Sequence, residues 1–290
     1  MFTLKFAKTY DFAIMTKNNL DHVLEDYYIA QPDTFCVADG ITRDFKDGTT
    51  MSGYPTTREE ALKVIEKYPN PSGAAKAAKI CAETFISTLS SYDSSNITEK
   101  EIYTAVKNSN TQIQKLNENR KIDYVANDYF ATVAVGGKII EDNLYCFAIG
   151  DCEILVLDEN YDTLFESSET FTSTQLIPYT EPFFLKKLYK GNWNWNNPAY
   201  RKHIRKNVRN NTLRKFLKKH TFGALTGEKK ALPFVKAYSI PLEKAKYILA
   251  FSDGVKDCIN SKEDLISVIN NPEQIQNEKH EKTLLIYEKI

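Results

Sequence analysis

Short apolar runs dominate both ends of the chain, and turn-forming residues separate them. Runs of this kind predict buried strands. They lie at positions 12–15, 27–30, 34–38, 129–135, 144–149, 154–157, 235–240, 247–251 and 283–287. Gly136-Gly137 follows the fourth of these runs and predicts a hairpin turn at that point. Strand pairs joined by tight turns, with helices inserted between them, are typical of an α+β domain with layered antiparallel sheets.

Helical periodicity appears between the two groups of strands. From Ser72, apolar residues recur at steps of three and four, which predicts an amphipathic helix packed on a sheet. A second helix is predicted from Thr98, where Glu101 completes a capping box. The stretch 41–71 that precedes these helices is rich in glycine and proline and is predicted to be mostly loop.

The charge of the chain is balanced in total but unevenly distributed. The 38 Lys and Arg equal the 38 Asp and Glu, which argues against a wholly basic nucleic-acid coat protein and against an acidic disordered tail. Residues 182–227, however, contain 12 Lys and Arg and no Asp or Glu. The chain is therefore an acidic body that carries a basic segment.

A helix is predicted within the basic segment over 200–219. Its charges are interpreted as a solvated face that balances the acidic body, with capture of a phosphorylated or acidic partner as the alternative. Trp193 and Trp195 would also permit nucleic-acid binding, which we place below the solvated face and the partner capture. An apolar stripe is expected to dock this helix on the body: Tyr200, Ile204, Val208 and Phe216.

Hydropathy and the cysteines indicate in which cellular compartment the protein is expected. No apolar run approaches the ~18 residues that span a bilayer, so no membrane segment is expected. The five cysteines form no CxxC pair, and most lie in apolar surroundings. This pattern predicts buried thiols in a reducing cytoplasm rather than a disulfide framework.

Carboxylates follow or precede several of the predicted strands. Asp39, Asp151 and Asp253 come just after apolar runs, and Glu25-Asp26 comes just before one. An ionised carboxylate at the end of a buried strand is costly unless a cation compensates it. No Lys or Arg is adjacent to the three Asp residues, so the set predicts a site for Mg²⁺ or Mn²⁺, which prefer oxygen ligands. Asp47-Gly48, in a polar loop, is interpreted as an ordinary turn.

The order of these motifs resembles one known family. The chain is similar to the metal-dependent protein serine/threonine phosphatases of the PP2C family, as a divergent bacterial-type member. The resemblance implies a four-layer α-β-β-α sandwich of two antiparallel sheets flanked by helices. It also implies a single domain over 1–290 with a basic insertion, or flap, at about 160–227. The motifs that carry it are Glu25-Asp26, Val37-Ala38-Asp39-Gly40, Phe130-Ala131-Thr132, Ile149-Gly150-Asp151-Cys152, Phe251-Ser252-Asp253-Gly254-Val255-Lys256-Asp257 and Lys282-Thr283-Leu284.

The resemblance also implies roles for the carboxylates. Asp39 is expected to bridge two metal ions, Gly40 to offer its carbonyl to one of them, and Asp253 to bind the other. Glu25 and Asp26 are expected to hold metal-bound waters, and Asp151 to help form a third, weaker site. Two Mn²⁺ or Mg²⁺ ions would activate a water that attacks the phosphorus of a phosphoserine or phosphothreonine in a protein substrate.

Three departures from the family pattern affect this transfer. The last acidic ligand of the family is replaced by His280-Glu281, and either residue is a candidate metal ligand, with loss of the ligand as the alternative. The arginine that holds the substrate phosphate in animal-type members is replaced by Asp21, so Arg43 is the candidate phosphate-binding residue. No histidine follows Gly40 to act as a general acid. These departures keep a rival open, a catalytically weak or inactive PP2C-like protein that binds a partner.

Overall fold

The computed structural model describes residues 1–10, 24–41, 69, 71–93, 96–125, 127–167, 198–217, 221–275 and 281–290. These residues form ten strands, which pair in two antiparallel sheets of five. In the first sheet the order is β1-β10-β9-β6-β7, and in the second it is β2-β3-β4-β5-β8. In chain order the strands are β1 (Phe2–Tyr10), β2 (Tyr27–Ala30), β3 (Thr34–Gly40), β4 (Thr132–Ile140), β5 (Asn143–Ile149), β6 (Glu153–Leu157), β7 (Thr163–Glu166), β8 (Lys236–Pro241), β9 (Tyr247–Phe251) and β10 (Lys282–Lys289).

The helices lie outside the two sheets. They are α1 (Gly73–Ser90), α2 (Glu99–Asn117), α3 (Pro198–His203), α4 (Thr212–Phe216), α5 (Asp253–Lys256) and α6 (Lys262–Asn270). Both predicted N-termini are confirmed, because the Ser72 side chain caps α1 and Thr98 forms a capping box with Glu101 at α2. No helix in the described part of the chain is long and apolar enough to span a membrane.

Alternation along the strands creates three apolar layers. In β9, Ile248 and Ala250 face the other sheet, whereas Leu249 and Phe251 face α6. The alanine-rich face of α1 packs with α2 against the outer side of the second sheet. The structure is therefore an α-β-β-α sandwich, and the predicted fold class is confirmed. Successive side chains of a strand point to opposite faces, which is why single strands contribute to two cores.

The predicted hairpin turn at Gly136-Gly137 is wrong. Strand β4 continues through both glycines to Ile140, and the turn into β5 falls at Glu141, whose φ is +51°. A Cβ on Gly136 would lie 2.8 Å from the carbonyl oxygen of Phe35 and 2.9 Å from the Phe147 ring. The glycine therefore serves close packing in the middle of the sheet rather than a change of chain direction.

Two edge strands escaped the sequence prediction. β1 forms one edge of the first sheet, where its alternating side chains are mostly half-buried, and β7 forms the other edge with largely exposed side chains. Edge strands of this kind lack the continuous apolar run that marks buried strands. The strand predicted at 12–15 and most of the loop predicted at 41–71 lie outside the described residues.

The helix predicted over 200–219 is broken into two. The first part, α3, continues as a π-helical turn over Ile204–Val208, and α4 begins after Asn210, whose φ is +55°. Tyr200, Ile204 and Val208 are buried as expected, but Phe216 is 82% exposed. The break resets the helical register, so Phe216 does not continue the buried stripe.

The break coincides with a buried ion pair. Arg209 donates two hydrogen bonds to Asp128, from Nη2 to Oδ1 over 2.7 Å and from Nη1 to Oδ2 over 2.9 Å. Arg205 approaches the same carboxylate at 3.1 Å, and all three side chains are buried. Burial alone would raise the pKa of Asp128, but the charges of Arg209 and Arg205 hold it below the ordinary value. The expectation of a wholly solvated basic face is therefore wrong at Arg205 and Arg209.

Candidate metal centre

The strand ends bring the predicted carboxylates to one edge of the sandwich. Asp39 is the last residue but one of β3, and because Tyr27 pairs with Ala38, Asp26, which immediately precedes β2, lies beside Asp39. Glu281 immediately precedes β10, whose Leu284 pairs with Phe251 near the end of β9. Antiparallel pairing thus places residues that are far apart in sequence at the same end of both sheets.

Three carboxylates converge at this edge. Asp26, Asp39 and Glu281 each offer an oxygen, and these oxygens lie within 4.8 Å of one another. No Lys or Arg in the described part of the chain forms an ion pair with any of the three. The lysine of the Ser-Asp-Gly motif, Lys256, pairs instead with Glu153 at 2.6 Å. When these carboxylates ionise, no cationic side chain among the described residues pairs with them.

Burial and mutual repulsion make the cluster hold protons strongly. Burial, followed by the charges of Asp26, Asp253, Glu281 and Asp151, raises the pKa of Asp39 well above its ordinary value. Burial and Asp26 raise the pKa of Glu281 to about 9. Burial raises the pKa of Asp26 to about 6, against the hydrogen bonds it accepts. Like charges at short range cannot all ionise without a compensating cation.

Asp26 is fixed so that one oxygen is left for a ligand. Its Oδ2 accepts hydrogen bonds from Ser252 Oγ over 2.7 Å and from Thr283 Oγ1 over 2.9 Å. Its Oδ1 is buried and has no hydrogen-bond partner among the described residues. A buried carboxylate oxygen without a partner is costly. This oxygen and the oxygen-only chemistry of the cluster fit a hard divalent cation.

Glu25 and Thr132 hold the backbone around the cluster. Glu25 Oε1 accepts a hydrogen bond from Ser72 Oγ over 2.6 Å, and the Glu25 backbone N–H donates to Glu281 Oε2 over 2.8 Å. Thr132 Oγ1 donates to the backbone oxygen of Asp39 over 2.6 Å. Sequence reasoning gave none of these hydroxyl groups a role at the site. Ser72 carried a signal only as a helix cap, and Thr132 only as part of a motif.

The other candidate residues take different positions. Asp151 and Asp253 are close enough for their charges to raise the pKa of Asp39, but their oxygens lie outside the 4.8 Å group. Gly40 packs against α1, because a Cβ there would lie 2.7 Å from the backbone of Ala74. Of the pair at the family's last ligand position, Glu281 joins the cluster. His280, like Arg43 and Asp21, lies outside the described residues.

Comparisons with known proteins identify the family of the chain. The family model described as "Protein phosphatase 2C" matches residues 71–285. The chain belongs to the protein phosphatase 2C family. A search of curated protein sequences finds no match.

Solved structures of PP2C-type phosphatases share the fold at low sequence identity. The catalytic domain of the serine/threonine phosphatase PstP, in complex with two manganese ions, is 14% identical over 99% of both chains, with a TM-score of 0.56. PstP/Ppp of Mycobacterium tuberculosis is 13% identical over 99% of this chain and 98% of its own, with a TM-score of 0.57. Stp1 of Staphylococcus aureus is 12% identical over 99% and 96%, with a TM-score of 0.52.

The raised pKa values predict a pH-dependent stability of the metal-free protein. The Glu281 carboxyl keeps its proton to about pH 9 when folded but loses it near pH 4.5 when unfolded. The folded state then binds more protons between these values, so stability falls as pH rises through this window. We expect the melting temperature in EDTA to fall between pH 6 and pH 8, by roughly a few degrees. We also expect Mn²⁺ to raise it more at pH 8 than at pH 6, as measured by scanning fluorimetry.

A matched variant assigns this effect to the cluster. In Glu281→Gln the titrating group is absent, so the fall with pH should be shallower and the shift with Mn²⁺ smaller. Glu288→Gln, on the opposite end of β10, is the control and should retain both effects. Identical pH profiles for Glu281→Gln and the wild type would contradict the assignment.

Proposed function

We propose that the chain is a metal-dependent phosphoprotein phosphatase that hydrolyses phosphoserine and phosphothreonine. The proposal rests on the convergence of Asp26, Asp39 and Glu281 in a member of the PP2C family, where Asp26 Oδ1 has no hydrogen-bond partner among the described residues. Mn²⁺ or Mg²⁺ held by these carboxylates would supply an activated water and would neutralise charge on the phosphoryl oxygens. Manganese is favoured because PstP, with the same fold, is in complex with two manganese ions.

The chain's own residues divide the work at the site. Asp39 and Glu281 would present oxygens to the ions, with Asp253, Gly40 and Asp151 as further candidate ligands and His280 as the alternative to Glu281. Glu25 and Asp26 would hold metal-bound waters, Asp26 through its Oδ1, because Ser72, Ser252 and Thr283 fix their carboxylates by hydrogen bonds of 2.6–2.9 Å. Ligands held in this way lose little freedom when an ion binds. Arg43 is the candidate for binding the substrate phosphate.

The proposal extends to the organisation of the chain. We place residues 1–290 in one phosphatase domain with a basic insertion at about 160–227, acting on phosphorylated proteins rather than nucleic acids or membranes. The five cysteines, all of them among the described residues, form no disulfide, and four are buried, which supports a reducing, cytoplasmic setting.

The direct test is hydrolysis of a phosphoserine peptide by the purified chain, measured as release of inorganic phosphate. We expect activity that requires Mn²⁺ or Mg²⁺, disappears with EDTA and returns on addition of the ion. The same protein should bind two Mn²⁺ ions by titration calorimetry.

A catalytically weak PP2C-like binding protein is the second candidate. The position of Asp253 outside the 4.8 Å group favours it. It predicts that no metal binds by calorimetry and that no phosphate is released at any metal concentration. That outcome would reject the enzyme.

A further inference from the structure

The short helix α4 presents an apolar face to solvent. Apart from the two chain ends, the most exposed large apolar side chains in the described part of the chain are those of Phe216 (82%), Leu213 (64%) and Leu217 (51%). They lie within five consecutive residues at spacings of three and four, which places them on one side of a helical turn. A concentration of exposed apolar surface in one place indicates a site of interaction.

The turn is held firmly on both sides, so its exposure is not that of a loose end. Asn211 caps α4, because its side-chain oxygen accepts a hydrogen bond from the Arg214 N–H over 3.0 Å. Its Nδ2 donates to the backbone oxygen of Asn207 over 2.7 Å. On the other side, the Lys215 ammonium binds the carbonyl oxygen of Pro233 and lies 4.8 Å from the centre of the Phe234 ring.

The residues that precede α4 anchor it to the body. Arg209 is buried in its bidentate pair with Asp128. Asn210 donates from Nδ2 to the carbonyl oxygen of Ala224 over 2.8 Å and accepts from the Ala224 N–H over 2.9 Å. Breaking a buried ion pair by removing one partner is strongly destabilising, so this pair anchors the segment. These contacts hold α4 on the body with its apolar side chains outward.

Uncompensated positive charge precedes the apolar face in the same segment. Lys202 and Lys206, one helical turn apart, are exposed and form no ion pair with any residue that the structure describes. The whole stretch 182–227 contains no Asp or Glu. Arg205 and Arg209 are buried and share the single carboxylate of Asp128, whereas Lys202 and Lys206 are exposed.

We propose that Leu213, Phe216 and Leu217, with Lys202 and Lys206, form a docking surface for an acidic segment of a partner protein. We name these five residues the α4 face. Carboxylates of the segment would meet the lysines, and its apolar side chains would cover Phe216. Charge complementarity of this kind speeds association and selects the partner, while the buried aromatic side chain supplies most of the affinity. This docking goes beyond the phosphatase reaction and needs no catalysis.

Other occupants fit the α4 face less well. Two copies of the chain related by a two-fold axis would bring lysines against lysines. Helices that lie on membranes present long apolar faces, whereas α4 has a single turn. Proteins that bind single-stranded nucleic acid use several stacking aromatic side chains, whereas the α4 face has only Phe216.

The test is selection of peptides on the purified full chain. A display library of random 12-residue peptides is selected on the wild type and counter-selected on the variant Leu213→Ser/Phe216→Ser/Leu217→Ser. We expect enrichment of sequences that combine Asp or Glu with large apolar residues. The enriched peptide is then synthesised, and its dissociation constant is measured by fluorescence anisotropy.

Variants locate the binding on the α4 face. We expect the triple serine variant to weaken peptide binding at least tenfold, as for loss of an interface hot spot. Lys202→Glu/Lys206→Glu should weaken it most at low salt, where repulsion between the new carboxylates and the acidic peptide is screened least. The control Leu4→Ser/Tyr103→Ser/Leu164→Ser removes three exposed apolar side chains elsewhere and should bind as the wild type does. Asp39→Asn should also bind normally, which separates docking from the phosphatase activity.

Three results would overturn the proposal. One is the absence of any enriched acidic peptide, and another is equal binding by the triple serine variant. The third is that no acidic peptide is enriched while the wild type binds vesicles containing phosphatidylserine, or a 20-nucleotide single-stranded DNA. In this case the triple serine variant would lose that binding. That result would assign the α4 face to a membrane or a nucleic acid.

Discussion

Asp39→Asn is expected to reduce the Mn²⁺-dependent hydrolysis of a phosphoserine peptide by about a thousandfold. Asp39 is one of three carboxylates whose oxygens lie within 4.8 Å, and asparagine keeps its shape while removing the charge. Metal ions contribute several kcal/mol of charge stabilisation in the transition state, and each 1.36 kcal/mol is a factor of about ten in rate. The measurement is kcat/KM at saturating Mn²⁺ for the wild type and the variant.

A second Asp-Gly pair of the chain provides the control for this experiment. Asp47→Asn changes the same dipeptide in a segment that sequence analysis assigned to an ordinary turn, and we expect its kcat/KM to equal that of the wild type. Calorimetry should show weakened Mn²⁺ binding in Asp39→Asn alone. Because the substitution also relieves repulsion within the cluster, the metal-free variant should melt no lower than the wild type. Full activity of Asp39→Asn would refute the mechanism.

Asp128→Ala is expected to lower the free energy of unfolding by about 3–5 kcal/mol, the cost of leaving a buried charge without its partner. Asp128 is fully buried, and its removal strands the guanidinium groups of Arg209 and Arg205 among buried neighbours. Urea denaturation gives the change in the free energy of unfolding, from the shift of the unfolding midpoint when the dependence of that free energy on urea concentration stays constant.

An aspartate in an exposed ion pair provides the control for this result. Asp162 pairs with Lys262 at the surface, where both side chains are largely exposed. Asp162→Ala should therefore cost less than about 1 kcal/mol. If the two variants lost equal stability, the pair formed by Asp128 and Arg209 would not be the anchor of the basic segment.

The sequence predicts those elements correctly whose structure depends on neighbouring residues. The capped helix starts at Ser72 and Thr98 and the apolar strand 247–251 were correct, because capping and side-chain alternation act over a few residues. It failed at Gly136, because a glycine that signals a turn locally was required by packing against Phe35 and Phe147. The predicted burial of Phe216 is wrong, because the helix breaks at Asn210 and its register changes there.

The sequence alone predicted a carboxylate site and indicated the family. Asp39 and Glu25-Asp26 stand at the ends of apolar runs, and their order along the chain indicates the PP2C family. Covalent neighbours are sufficient for this, since a costly charge beside a buried strand is visible in the sequence itself.

Only the tertiary structure decided which of these groups meet and which charges turn inward. Strand pairing brought Glu281 to Asp26 and Asp39, and within the described part of the chain it left one oxygen of Asp26 without a hydrogen-bond partner. The fold also buried Arg209 against Asp128 and left the apolar side chain of Phe216 in solvent. These outcomes depend on contacts between distant parts of the chain, so no local pattern of residues could specify them.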